Sequence, residues 1–191
     1  MCPSSAGAYL PAMYRRLSIC RFLSLLGLLL CLAQCRKKDP SPQLPPESTT
    51  GAMTFGCKID GRVFVPRDYY TRTGLYVQYV NLGSGKGGGY YLNIPATDWA
   101  SKEIDAVRIS TDSLLVQEGK TYVFSTGKGS AHAEYDSGPA YKKRDQDAGE
   151  LTITRFDAQQ GILSGRFDFV GTDKATGQQV KVTEGRFDVR F

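Results

Sequence analysis

The chain has 191 residues, 24 Lys and Arg against 19 Asp and Glu for a formal net charge of +5, five cysteines and one histidine. The length suits one domain with a sizeable core. A single histidine, His132, excludes any site that needs two, and Cys/His zinc sites are excluded by count.

The N-terminus reads as a targeting segment. Arg15, Arg16 and Arg21 form a positive region, and Phe22 to Ala33 is an apolar run of twelve residues. A membrane span needs about 20 residues, so the run fits a signal-peptide core instead. Leu32, Ala33, Gln34 and Cys35 resemble a bacterial lipobox, in which the cysteine becomes the lipidated first residue. Gln34 stands where Gly, Ala or Ser is usual, and no small-x-small site for ordinary cleavage lies nearby. Translation starts at Met1 or at Met13, which directly precedes the charged region.

Processing changes the composition. Removing 1–34 takes Arg15, Arg16 and Arg21 and no acid, so the net charge falls from +5 to +2. The basicity is mostly a targeting signal and does not indicate nucleic-acid binding. Cys2, Cys20 and Cys31 leave as well, and Cys35 carries lipid. Cys57 remains alone, so the mature chain has no internal disulfide and rests on its core.

Residues 35–52 follow with four prolines and polar filler, the composition of an extended, flexible tether. Arg36, Lys37 and Lys38 sit beside the anchor. A β domain is expected over 53–191. Phe55, Cys57 and Ile59 alternate with Gly56 and Lys58, and Asp60–Gly61 predicts a type I′ hairpin into the run from Arg62. Further strands are expected at 74–81, 90–94, 104–110, 121–125, 131–135, 151–156, 162–170 and 179–191. Single helical turns are expected at 97–103 and 112–118. Many short strands at even spacing predict an all-β fold, an antiparallel β-sandwich or short β-barrel.

Gly165 to Phe169 and Gly185 to Val189 are near copies, Gly-Arg-Phe-Asp followed by an apolar residue. Alternation puts Phe167, Phe169, Phe187, Val189 and Phe191 inward, with Arg166, Asp168, Arg186, Asp188 and Arg190 outward. Val180 and Val182 are even-numbered and the inward set after them is odd. A β-bulge at Glu184–Gly185, with glycine in the left-handed position, would switch the face.

The glycine-rich stretch 83–89 lacks the Ser or Thr after Lys86 that a phosphate loop needs, and a strand follows it, so a hairpin loop is predicted. His132 and Glu134 share a strand face, read as polar exterior with Ala131, Ala133 and Tyr135 inward. Asp145, Asp147 and Glu150 look calcium-like but lack EF-hand spacing, and an acidic turn is the better reading. No Gly-x-Ser-x-Gly elbow occurs. Cys57 is read as buried and inert. No catalytic residue, metal site or cofactor is assigned. Tyrosines offer stacking faces with polar tips, and adjacent tyrosines on a strand force one ring outward. Tyr69, Tyr70, Tyr90, Tyr91 and Trp99 are therefore the candidate ligand-binding residues.

Three stretches carry a resemblance: 54–66, 149–157, and 161–169 with 185–189. Together they resemble a family of uncharacterised Bacteroidota lipoproteins, over most of 53–191. The resemblance implies an all-β domain of the cell envelope, anchored in the outer membrane on its periplasmic or outer side. That family is a domain of unknown function, so no functional residues carry over. The expected role is a non-catalytic module that binds a glycan, a small ligand or a protein partner. The alternative is a hydrolase or lyase built on scattered carboxylates, marked by two or three of them with a tyrosine in one cleft. Replacing the lipid-bearing thiol, Cys35→Ser, is expected to move the protein from the membrane pellet to the soluble fraction on cell fractionation.

Overall fold

The computed structural model describes residues 42–138, 144–173 and 175–191, and of 144–147 the backbone alone. The signal segment, Cys35 and the tether up to residue 41 lie outside these residues, as do the side chains of Asp145 and Asp147. Among the described residues there are ten strands and no helix. They are β1 (Thr54–Ile59), β2 (Arg62–Phe64), β3 (Gln78–Asn81), β4 (Tyr90–Thr97), β5 (Asp105–Asp112), β6 (Thr121–Val123), β7 (Ser130–Ser137), β8 (Arg144–Asp157), β9 (Ile162–Thr172) and β10 (Gln179–Arg190).

Local chemistry sets the turns. Asp60 and Gly61 take φ of 47° and 82°, the two positive values that a type I′ hairpin requires between β1 and β2. The glycine-rich stretch closes the β3–β4 hairpin, where the Leu82 amide donates to the Gly89 carbonyl at 2.9 Å. The two expected helical turns are absent. Asp112 ends β5, and Leu114 then packs against the core while its amide bonds to the Tyr90 carbonyl. The amides of Asp98 and Trp99 donate to Asp105 and Arg67. Their hydrogen bonds run across to other segments, not along a helix.

Two antiparallel sheets result. One runs β2-β1-β10-β9-β8 with β6 beside β8, and the other runs β7-β5-β4-β3. They join where β7 meets β8, at Glu134–Asp145 and Tyr135–Arg144. β2 and β3 end the path without pairing, so the architecture is a sandwich and not a closed barrel. Inward residues of both sheets fill the core, including Phe55, Cys57, Ile94, Ile109, Leu151, Phe169 and Val182. At one end Tyr79 of β3 meets Phe156 and Phe191 at 5.6 and 5.0 Å between ring centroids. At the other, Arg62 of β2 reaches Asp105 of β5 at 2.7 Å, and the Tyr135 hydroxyl donates to the same carboxylate at 2.7 Å.

The repeated Gly-Arg-Phe-Asp stretches pair with each other. Gly185 lies opposite Phe167, Phe187 opposite Gly165, and Arg186 opposite Arg166. A Cβ on Gly185 would stand 2.5 Å from the Phe167 ring and carbonyl oxygen, and one on Gly165 would stand 2.7 Å from the Phe187 ring. Each glycine thus makes room for the other copy's phenylalanine. The register shift between Val182 and Gly185 switches the inward face. The left-handed residue there is Glu184, at φ 53°, and not the glycine expected from sequence. Gly185 is needed for close approach, not for its dihedral freedom.

Asp188 points to the outer side of β10, as alternation requires, yet it is 1% exposed. Residues 48–52, inside the stretch read as flexible tether, cover it. Its carboxylate accepts from the Ser48 hydroxyl (2.6 Å), the amides of Thr50 (3.0 Å), Gly51 (2.8 Å) and Ala52 (3.1 Å), and the Ser164 hydroxyl (2.7 Å). Hydrogen bonds to a charged group are worth about 1.5–3 kcal/mol each. Burial alone would raise its pKa, but the donors from Ser48, Ser164, Ala52 and Gly51 outweigh it and hold the carboxyl well below the usual range. The strap of residues 45–53 is thereby fastened across the sheet. A Cβ on Gly56 would meet Pro45 at 2.6 Å, so β1 is shaped to receive the strap.

Gly185→Val is expected to cost about 1–3 kcal/mol by overpacking Phe167, seen as a lower Tm, while Glu184→Gly is expected to be neutral or stabilising. The depressed native pKa of Asp188 means that its stabilisation is full above the unfolded value near ~4 and is lost as pH falls below it. Chemical denaturation from pH 7 to pH 2 is therefore expected to show a steeper acid loss in the wild type than in Asp188→Asn, which starts less stable.

Candidate functional site

The loop of residues 67–75 is stitched to the end of β4 by backbone hydrogen bonds. The Arg67 amide donates to the Thr97 carbonyl (3.2 Å), the Thr97 amide to the Gly74 carbonyl (2.7 Å), and the Trp99 amide to the Arg67 carbonyl (3.0 Å). Arg67 adds a two-pronged ion pair to Asp98, with both contacts at 2.8 Å. Planar guanidinium matches carboxylate geometry, so this pair fixes orientation as well as distance. Asp68 accepts from the Gly74 amide at 2.6 Å, and a Cβ on Gly74 would meet the Arg67 backbone at 2.7 Å. The loop closes so tightly that only glycine fits there.

A turn at the loop's tip displays aromatics. Tyr69 and Arg72 exchange backbone hydrogen bonds at 3.1 and 3.0 Å. Tyr70 between them takes φ 52° and is 89% exposed. Left-handed backbone costs a non-glycine residue about 1–2 kcal/mol, and the turn's two backbone hydrogen bonds hold it there. The Tyr69 ring, 50% exposed, meets the Tyr70 ring edge-on at 4.4 Å. The Arg72 guanidinium sits 4.9 Å over the Trp99 ring, whose Nε1 donates to the Thr73 carbonyl at 3.0 Å. Such a cation over a ring contributes about 0.5–1 kcal/mol at an exposed site. An open groove of about 470 Å³ adjoins the loop, lined by Pro45, Phe55, Pro66, Asp68, Thr73 and Leu75 among others. The result is a rigid display of rings and guanidinium beside a groove, suited to stacking and hydroxyl recognition.

The structure brings together three of the five residues singled out from sequence, Tyr69, Tyr70 and Trp99. Tyr90 and Tyr91 begin β4, about 23 Å of strand from its far end at Thr97. Tyr90 stacks on Tyr79 at 5.6 Å, and the Tyr91 hydroxyl donates to the Gly87 carbonyl at 2.6 Å. Asp98, one of the scattered carboxylates, completes the loop with Arg67 and Arg72, which sequence reasoning passed over. The composition Tyr-Tyr-Thr-Arg-Thr-Gly, without apolar alternation, was the available signal.

Other features serve the fold. Cys57 is fully buried, and burial pushes its thiol far up, away from the reactive thiolate. His132 meets the Ser130 hydroxyl at 3.1 Å through Nε2, and Glu134 lies 3.7 Å from Arg108. Burial, reinforced by the Asp105 carboxylate, pushes the Tyr135 phenol up to about 12. Among the described residues no group of three or more His, Cys, Asp or Glu is placed to hold a metal ion.

Residues 96–189 match the family described as a domain of unknown function (DUF6252). No curated protein and no solved structure matches the chain. The match opens inside β4 and ends within β10. The strap and β1 to β3 precede it, although β1 is hydrogen-bonded to β10 along Thr54–Asp188 to Ile59–Val182.

Proposed function

We propose that the chain is an exported lipoprotein of the cell envelope, anchored at Cys35, whose β-sandwich is a non-catalytic glycan-binding module. The anchoring half rests on the signal-like N-terminus, the lipobox-like cysteine and the resemblance to Bacteroidota lipoproteins. The binding half rests on the aromatic loop of Tyr69, Tyr70, Arg72 and Trp99.

One observation carries the binding reading. Tyr70 combines a left-handed backbone with near-complete exposure. The turn and the edge contact with Tyr69 fix the ring while its face stays open to solvent, so a ligand gains a preorganised stacking face. Glycans fit the surroundings best. Their ring C–H faces stack on aromatics, and their hydroxyls meet the guanidinium of Arg72 and the polar atoms of Asp68 and Thr73. The alternative, a hydrolase or lyase, looks to a carboxylate–tyrosine cluster in a cleft. Asp105 with Tyr135 is such a pair, but it is buried, closed over by Arg62, and does not line the groove beside the aromatic loop.

Affinity electrophoresis of the purified full chain through gels containing a panel of soluble polysaccharides tests this reading. Retardation by at least one of them is expected, lost in Trp99→Ala and in Tyr70→Gly. Tyr70→Gly is expected to leave Tm unchanged or to raise it, by up to about 1 kcal/mol of relieved strain less the added unfolded-chain entropy. A clear loss of stability in that variant, or unaltered retardation, would refute the role given to Tyr70.

A further inference from the structure

The outer face of the six-stranded sheet carries an arrangement that the loop does not use. Pairing of the two Gly-Arg-Phe-Asp copies sets Arg166 directly opposite Arg186 on neighbouring strands. Like charges directly opposite are destabilising. The strap and Glu184 of β10 relieve this. Glu47 takes hydrogen bonds from Nε and Nη2 of Arg166, the former at 2.9 Å. Arg186 is held by the carbonyls of Glu184 (3.2 Å) and Pro45 (3.4 Å), and its guanidinium lies 3.7 Å from the Glu184 carboxylate.

Two grooves of about 250 and 340 Å³ flank Glu47, and both are lined by Glu47, Arg166 and Arg186. Glu47 therefore divides a trough whose walls include the hydroxyl-bearing Thr54, Thr152 and Thr154. Its side chain is 46% exposed and that of Arg166 61%. The strap does not depend on Glu47, because Asp188 fastens residues 48–52 separately.

We propose that Arg166, with Arg186 directly opposite it, forms a carboxylate-binding site for an acidic saccharide, and that the Glu47 carboxylate on Arg166 is its built-in occupant. The remaining charges narrow the ligand. Glu150, Asp168 and Glu184 line the same trough, and they disfavour a polyanion while accepting hydroxyl donors. A sugar chain with an isolated uronate among neutral residues meets both conditions. The trough meets the groove beside the aromatic loop at Thr54, but Arg166 and Arg186 do not line that groove, so neither reading depends on the other.

Calorimetric titration of the purified full chain with aldotetraouronic acid, which carries one uronate on a neutral xylose chain, tests the site. Xylotetraose is the uncharged control, and a Gly-Ser-Glu-Ser-Gly peptide supplies a carboxylate from a protein source. The acidic sugar is expected to bind and the neutral one not. Glu47→Ala is expected to tighten binding by about two- to fivefold, the range open to an exposed ion pair that competes internally. Arg166→Gln is expected to weaken it about tenfold or more. Both positions are exposed, and unchanged melting curves would show that each variant is folded. Absence of binding, equal binding of xylotetraose, no gain in Glu47→Ala or no loss in Arg166→Gln would each overturn the site. Peptide binding as tight as the sugar's would overturn the saccharide assignment.

Discussion

The carboxylate of Asp188 organises this molecule beyond its own strand. It is an anion on the outer side of a sheet, and it is buried because residues 48–52 supply donors to it. An unpartnered buried carboxylate would be strongly destabilising, and a strap without a partner would be an unstructured polar tail. Each solves the other's problem. The fastened strap then places Glu47 over Arg166, packs Pro45 against Gly56 and forms a wall of the groove beside the aromatic loop.

Beneath the strap, close approach rather than backbone freedom explains the repeated motif. Two antiparallel strands with the same Gly-Arg-Phe order put each glycine opposite the other's phenylalanine. The rings settle 6.5 Å apart with their planes 27° from parallel, and Phe55 joins Phe167 at 5.2 Å. The same register forces the two arginines together on the outer face. A packing solution on the inside thus creates an electrostatic demand on the outside, which the strap and Glu184 meet.

The aromatic loop obeys a different logic. Its backbone is tied at several points to the end of β4, and Arg67 is locked to Asp98. A rigid base of this kind lets the loop hold Tyr70 in a conformation that an isolated turn would leave. The strain at Tyr70 is held by the turn's two backbone hydrogen bonds and the Tyr69 edge contact, and the ring remains exposed.

Much of the architecture was legible in the chain. Period-two alternation marked most strands and their inward faces, Asp60–Gly61 marked the first hairpin, and the parity change from Val182 to Phe187 required the bulge. These are properties of neighbours along the sequence, where pleat and turn geometry act. The stretch 145–150, read as an acidic turn, belongs instead to β8, and the strand expected from 74 begins at Gln78. Tertiary structure alone decided the rest. It chose sandwich over barrel, because closure depends on whether β2 and β3 meet. It made Glu184 the left-handed residue and assigned Gly185 to a ring from another strand. It turned residues 48–52 from expected tether into strap, because the deciding partner, Asp188, lies about 140 positions away. It separated Tyr90 and Tyr91 from Tyr69, Tyr70 and Trp99, and joined Arg72 to the latter. Local rules reach a few residues, whereas a site is made by side chains that the chain returns to one place.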